Sequence, residues 1–91
     1  MSTAAEKRHM SKVAALGCIA CLRLEMGESA ACLHHIREGR IARTDTLVLP
    51  LCPAHHTGSS MSVHMDKNRL MRALGVSSEF DLLGDVLRRI A

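Results

Sequence analysis

Apolar and polar positions alternate with different periods along this chain, and the changes of period mark its elements. The segment from Thr3 to Leu16 predicts a helix: Ser2 or Thr3 can cap it, its Ala and Lys residues favour it, and Gly17 suits the position just past its end. Met10, Val13, Ala14 and Leu16 would face a core. "CIAC", Cys18 to Cys21, follows as a tight knuckle, and residues 22–30 read as a loop or hairpin turning at Gly27. "ACLHHI" is a short run of apolar and branched residues and predicts a strand. "REGRIARTD" reads as an irregular basic loop, and "TLVLPL" as a second strand ending near Pro50. Pro53 fits the first turn of a short helix that begins at Cys52 and stops at Gly58-Ser59-Ser60.

The last third of the chain is helical by the same criteria. Asp66 can cap "KNRLMRAL", with Gly75 beyond it, and Ser77 or Ser78 can cap "SEFDLLGDVLRRI". In the second of these helices the acidic residues come early and Arg88 and Arg89 late, as the helix dipole favours. Phe80, Leu83, Val86, Leu87 and Ile90 would form its apolar stripe. No internal repeat or low-complexity tract interrupts the pattern.

Composition makes this a single small domain with a thin core. The 91 residues are 47% apolar, but Phe80 is the one aromatic. Rings give the most burial per residue, so a chain without them needs a staple, either disulfides or a metal ion. The four cysteines would allow two disulfides. The N-terminal "MSTAAEKRHMSK" is polar and charged rather than a secretory signal, and no apolar run is long enough to span a membrane. A reducing cytoplasm is therefore expected, and there cysteines beside histidines favour metal. The net charge of +3 points weakly to a polyanionic partner. Its distribution says more: Arg37, Arg40 and Arg43 fall in one loop, and Lys67, Arg69 and Arg72 in another segment.

Two groups of residues carry the candidate chemistry. Cys18-x2-Cys21 and Cys52-x2-His55 have the shape of a split zinc site, with two residues between ligands so that the backbone can fold around one ion. Four such ligands leave no open position, which makes the site structural. Cys32 is either a small buried hydrophobe or an alternative ligand, and strand alternation puts it on the face of His34. The remaining histidines form the second group. If His55 holds zinc, His56 points elsewhere, while alternation sends His34 and His35 to opposite faces of a strand. One of that doublet can hold a catalytic metal and the other act as a base near neutral pH, with His64 as a further ligand.

The order CxxC, "HHIREG", a loop, "PLCPAHH" and then "VH" resembles the HNH endonucleases, which share the ββα-metal or His-Me finger fold. It is closest to the phage Ref-type recombination-enhancement nucleases and their small relatives, over Met10 to Leu83. The resemblance implies a small α+β fold with a zinc-stabilised ββα-metal, treble-clef-like core and flanking N- and C-terminal helices. Residues 1–17 would be the N-terminal helix, 18–65 the core and 66–91 the C-terminal helices of one domain, 1–91. It assigns His35 as general base and His34 and His56 as ligands of the catalytic metal, with Cys18, Cys21, Cys52 and His55 on structural zinc. The middle Asn of HNH has no counterpart, Asp45 or Thr46 standing nearest, and His64 departs from the usual position of a third ligand. The implied cofactors are Zn2+ and a catalytic Mg2+, Mn2+, Ni2+ or Zn2+. The implied partners are DNA and a recombinase filament on single-stranded DNA, in a bacterial or phage setting. Arg37, Arg40 and Arg43 would touch phosphates, which fixes position without reading sequence. A zinc-stabilised, non-cleaving DNA- or protein-binding module is the alternative reading, and a disulfide-stapled protein a third.

Overall fold

Thr3 opens the first helix, α1 (Ala4–Leu16), through a reciprocal capping box. Its hydroxyl accepts from the Glu6 amide at 3.1 Å, and its own amide donates to the Glu6 carboxylate at 2.8 Å. Gly17 ends the helix at φ +85°, a conformation that disfavours any side chain, and a Cβ there would also meet the Ser29 carbonyl at 3.1 Å. The computed structural model describes residues 2–37 and 44–91. After Gly17 the knuckle is helical: α2 (Ile19–Arg23) is a single turn whose N-cap is the Cys18 sulphur, accepting from the Cys21 amide.

Two strands, β1 (Cys32–His35) and β2 (Val48–Leu51), pair antiparallel, with Cys32 opposite Leu51, Leu33 opposite Pro50, His34 opposite Leu49 and His35 opposite Val48. Every residue of β2 is buried, because α1 and α2 pack on this ribbon together with the C-terminal helix. The strand therefore reads as a continuous apolar run, whereas β1 mixes exposed, half-buried and buried positions. The expected strands are thus present in shortened form. Cys32 departs from the expectation of burial: it is exposed, and its thiol donates to the Leu51 carbonyl at 3.2 Å.

Pro53 leads into one wide, π-type turn, Ala54–Gly58, in which the amides of His55 and His56 both donate to the Cys52 carbonyl. The next helix, α3 (Val63–Leu74), begins four residues before the expected start at Lys67 and is capped by the buried Ser62 hydroxyl. It bends at Asp66, whose φ of −155° and ψ of 82° are not helical. The Asp66 carboxylate accepts from the Arg69 amide at 3.1 Å, so Asp66 caps the longer part of the helix as the sequence suggests, with one extra turn ahead of it.

Ser78 caps the last helix, α4 (Glu79–Ile90), by accepting from the Asp81 amide. Its buried face is Glu79, Leu82, Leu83 and Val86, with Leu87 43% exposed. Leu82, not Leu87, thus belongs to the stripe. Arg23 ties the helices together, donating twice to the Leu74 carbonyl at the end of α3 and once to Asp85 on α4 at 2.8 Å. The core itself is aliphatic: Val13, Ile19, Ile36, Val48, Leu49, Leu51, Leu70, Leu82 and Val86. The result is a small α+β fold with a two-stranded sheet and helices.

Candidate metal centres and active site

The α2 knuckle and the turn after β2 face each other, and this places Cys18, Cys21, Cys52 and His55 around one point. All four are buried, and their donor atoms lie within 4.8 Å of one another. Three sulphurs converge on one nitrogen, His55 Nδ1, at 3.7 Å from Cys18, 3.6 Å from Cys21 and 3.2 Å from Cys52. Cys21 and Cys52 Sγ are 3.8 Å apart. One nitrogen cannot satisfy three thiols. A tetrahedral zinc ion with bonds of about 2.3 Å to sulphur and about 2.0 Å to nitrogen would set S···S near ~3.8 Å and S···N near ~3.5 Å. The donors therefore fit zinc, and no pair has closed into a disulfide.

Hydrogen-bond donors reach two of the sulphurs. The Cys21 amide donates to Cys18 Sγ at 3.4 Å, and the Ser29 hydroxyl donates to Cys21 Sγ at 3.2 Å. Burial pushes the Cys18 thiol up to about 11, against the pull of backbone hydrogen bonds at Cys52 and Cys21. At Cys52 burial also raises the thiol, but hydrogen bonds from the His55 backbone, Cys18 and Cys21 outweigh it and hold the group below its ordinary value. Burial lowers His55, which keeps its imidazole neutral and available as a ligand.

A second cluster joins three elements. His34 comes from β1, His56 from the π-type turn and His64 from the first turn of α3. Their ring centroids are 4.8–5.3 Å apart. His56 and His64 bring their Nε2 atoms to 3.2 Å, near the ~3.3 Å expected of two imidazoles on one tetrahedral ion. Burial lowers the His56 pKa first, and the neighbouring His34 and His64 lower it further. Neutral imidazoles with converging lone pairs are what a divalent metal requires. His34 Nε2–H donates to Glu79 Oε1 at 2.5 Å, which leaves the lone pair of the neutral ring on Nδ1. Cys32 Sγ lies 3.4 Å from His56 Nδ1 but is not one of the clustered donors.

His35 is held apart from this trio. Its Nε2–H donates to Asp45 Oδ1 at 2.9 Å, and the Ser2 hydroxyl donates to Asp45 Oδ2. Nδ1 is then the nitrogen of His35 with a free lone pair. His35 nevertheless lines the same cleft of about 320 Å³ as His34, His56, His64, Leu33 and Arg37. The structure thus brings Cys18, Cys21, Cys52 and His55 together and His34, His56 and His64 together, and it pairs His35 with Asp45. Arg37 is exposed at the cleft; Arg40 and Arg43 lie outside the described residues. Sequence reasoning passed over Glu79, although it precedes Leu82 and Leu83 by three and four residues and so continues the buried stripe of α4.

Residues 2–83 match the family described as recombination enhancement, RecA-dependent nuclease. The chain belongs to this family. The matched segment of this RecA-dependent nuclease family includes both clusters, His35 with Asp45, and Glu79. No curated protein is significantly similar to the chain. Among the described residues no helix is long and apolar enough to cross a membrane.

Proposed function

We propose that this chain is a metal-dependent DNA endonuclease of the HNH type, hydrolysing phosphodiester bonds in concert with a RecA filament. Residues 1–91 act as one domain, with a ββα-metal, treble-clef-like core around residues 18–65, in the cytoplasm of a bacterium or an infected cell. Membership of the RecA-dependent nuclease family supports the reaction class and the partner. One observation carries the site assignment: three imidazoles converge in a cleft that a fourth, carboxylate-held imidazole also lines.

Cys18, Cys21, Cys52 and His55 hold a structural Zn2+ that braces the turn carrying His56. His34, His56 and His64 hold the catalytic divalent ion, Mg2+, Mn2+, Ni2+ or Zn2+, of which three nitrogen donors favour the last three. When bound, that ion offsets the negative charge that grows on the phosphate and on the departing sugar oxygen. His35 is the general base. Asp45 accepts a hydrogen bond from its Nε2–H and so aims Nδ1 at the cleft, where it takes a proton from water as the water oxygen attacks phosphorus. The phosphorus–oxygen bond to the sugar breaks, and the leaving oxygen takes up a proton from solvent. Asp45 also stabilises the imidazolium that His35 becomes, as a carboxylate does beside any histidine base. Arg37, at the cleft and exposed, contacts a backbone phosphate, and Arg40 and Arg43 extend the same basic loop.

The test is nicking of DNA bearing a RecA filament, with and without added divalent ions. Wild type should cut only with metal. His35→Ala should lose about 10²–10⁴-fold in rate while keeping its zinc content and circular dichroism. Equal cutting by His35→Ala, or no cutting by wild type under these conditions, would overturn the reading.

A further inference from the structure

Glu79 is a buried carboxylate that reaches a histidine of the three-histidine cluster. It is 2% exposed, sits on the apolar face of α4 and pairs with His34, 45 residues away. Burying a carboxylate is costly and is tolerated only with close partners. The ammonium of Lys67 stands 3.9 Å from Oε2 and its side chain is 39% exposed, which makes it a loose counter-ion. By contrast Oε1 is 2.5 Å from His34 Nε2. The backbone beneath Glu79 is fixed as well. Ser78 accepts from the Asp81 amide, the Asp81 carboxylate accepts from the Ser77 amide at 2.9 Å, and Leu82, Leu83 and Val86 lock the rotation of the helix.

We propose that Glu79 is the positioning residue of the three-histidine centre. By accepting the Nε2 proton of His34 it sets the tautomer, orients the ring edge-on to His56 and His64, and presents the Nδ1 lone pair to the ion. A carboxylate behind a ligating imidazole also raises the basicity of the donor nitrogen. The inference rests on the reading of His34, His56 and His64 as a metal centre. It adds that α4, which contributes no ligand, tunes this centre from outside. It also gives the site two separately held imidazole–carboxylate pairs, His34 with Glu79 and His35 with Asp45, one for metal and one for the proton.

The experiment is a Co2+ titration of zinc-loaded protein, read by the visible absorption of the nitrogen-ligated ion, on wild type, Glu79→Gln and Glu79→Asp. The glutamine variant keeps the shape but loses the charge, and the aspartate variant keeps the charge but loses the reach. Both should bind Co2+ about 10–100-fold more weakly than wild type. Both should retain the zinc of the cysteine site and a cooperative thermal melt. Nicking by Glu79→Gln should recover at saturating metal, which a misfolded variant would not do. Wild-type Co2+ affinity in both variants overturns the inference alone. A wild type that takes up no second ion overturns it together with the metal-centre reading. A second ion bound more weakly by the variants, in a protein that never cuts, supports the inference and removes the nuclease reading.

Discussion

Cys21→Ser deletes one of four donors that tie the α2 knuckle to the turn after β2, and the geometry sets how much follows from that loss. Cys21 Sγ is 3.6 Å from His55 Nδ1 and 3.8 Å from Cys52 Sγ, so it belongs to both halves of the site. A structural zinc ion contributes about 10–16 kcal/mol of folding free energy at neutral pH. A domain of this length has a net stability of about 5–14 kcal/mol, taking ~0.05–0.15 kcal/mol per residue. The two magnitudes are comparable, and the core has little in reserve: its single ring, Phe80, is half-buried at the margin. Loss of the ion should therefore unfold the chain rather than loosen one loop. The assay is far-ultraviolet circular dichroism through a thermal ramp, on wild type, on wild type with a strong zinc chelator, and on Cys21→Ser. The two zinc-free samples should lose most of their helical signal at 25 °C-like conditions and regain it, for wild type, when zinc is restored. A zinc-free chain with a cooperative melt within a few degrees of the loaded form would refute the reasoning.

Three further outcomes follow from other parts of the molecule. Leu82 is fully buried, and Leu82→Ala should cost about 2–5 kcal/mol in urea unfolding of the zinc-loaded protein; a loss under ~1 kcal/mol would contradict its place in the core. Burial raises the Asp85 carboxyl, but hydrogen bonds and charge from Arg89 and Arg23 outweigh it, so its folded pKa lies below the ordinary value. Its stabilisation is thus complete above the unfolded pKa of about 3.9 and is lost as pH falls through the depressed folded value. The stability gap between wild type and Asp85→Asn should accordingly shrink as pH falls below ~4 in urea titrations, and a constant gap would contradict the pairing. Arg37→Ala should reduce the slope of log affinity against log salt by about 0.7–0.9, the release of one phosphate contact, and an unchanged slope would remove Arg37 from the interface.

Much of the fold was legible where the controlling partners are close in sequence. Thr3 and Glu6 announce the capping box three residues apart, and the zinc ligands come as two local pairs, Cys18 with Cys21 and Cys52 with His55. The Asp66 cap was readable for the same reason, although the extra turn from Val63 was hidden behind the Gly-Ser loop. What escaped depends on packing. Leu82 and Leu87 both suit an amphipathic α4, and only contact with the core decides that Leu82 is buried and Leu87 is not. Five residues of α2 are too few to show a period, and the Cys18 sulphur caps the helix where a hydroxyl would be sought. Alternation put Cys32 and His34 on one face, and both do approach His56, but it gave no warning that Cys32 would be exposed. The spacing of α4 could have marked Glu79 as buried, but its pairing with His34, on a strand 45 residues away, was illegible.

The central claim is that two ions with different ligands divide the work, one bracing the scaffold through sulphur and one acting through nitrogen. X-ray absorption spectroscopy on protein loaded with Zn2+ and then Ni2+ measures this directly, because each edge reports its own shell. Zinc should show three sulphurs and one nitrogen at about 2.3 and 2.0 Å, and nickel a sulphur-free nitrogen and oxygen shell. A sulphur-free zinc shell, a nickel shell containing sulphur, or a chain that retains a single ion would contradict the claim.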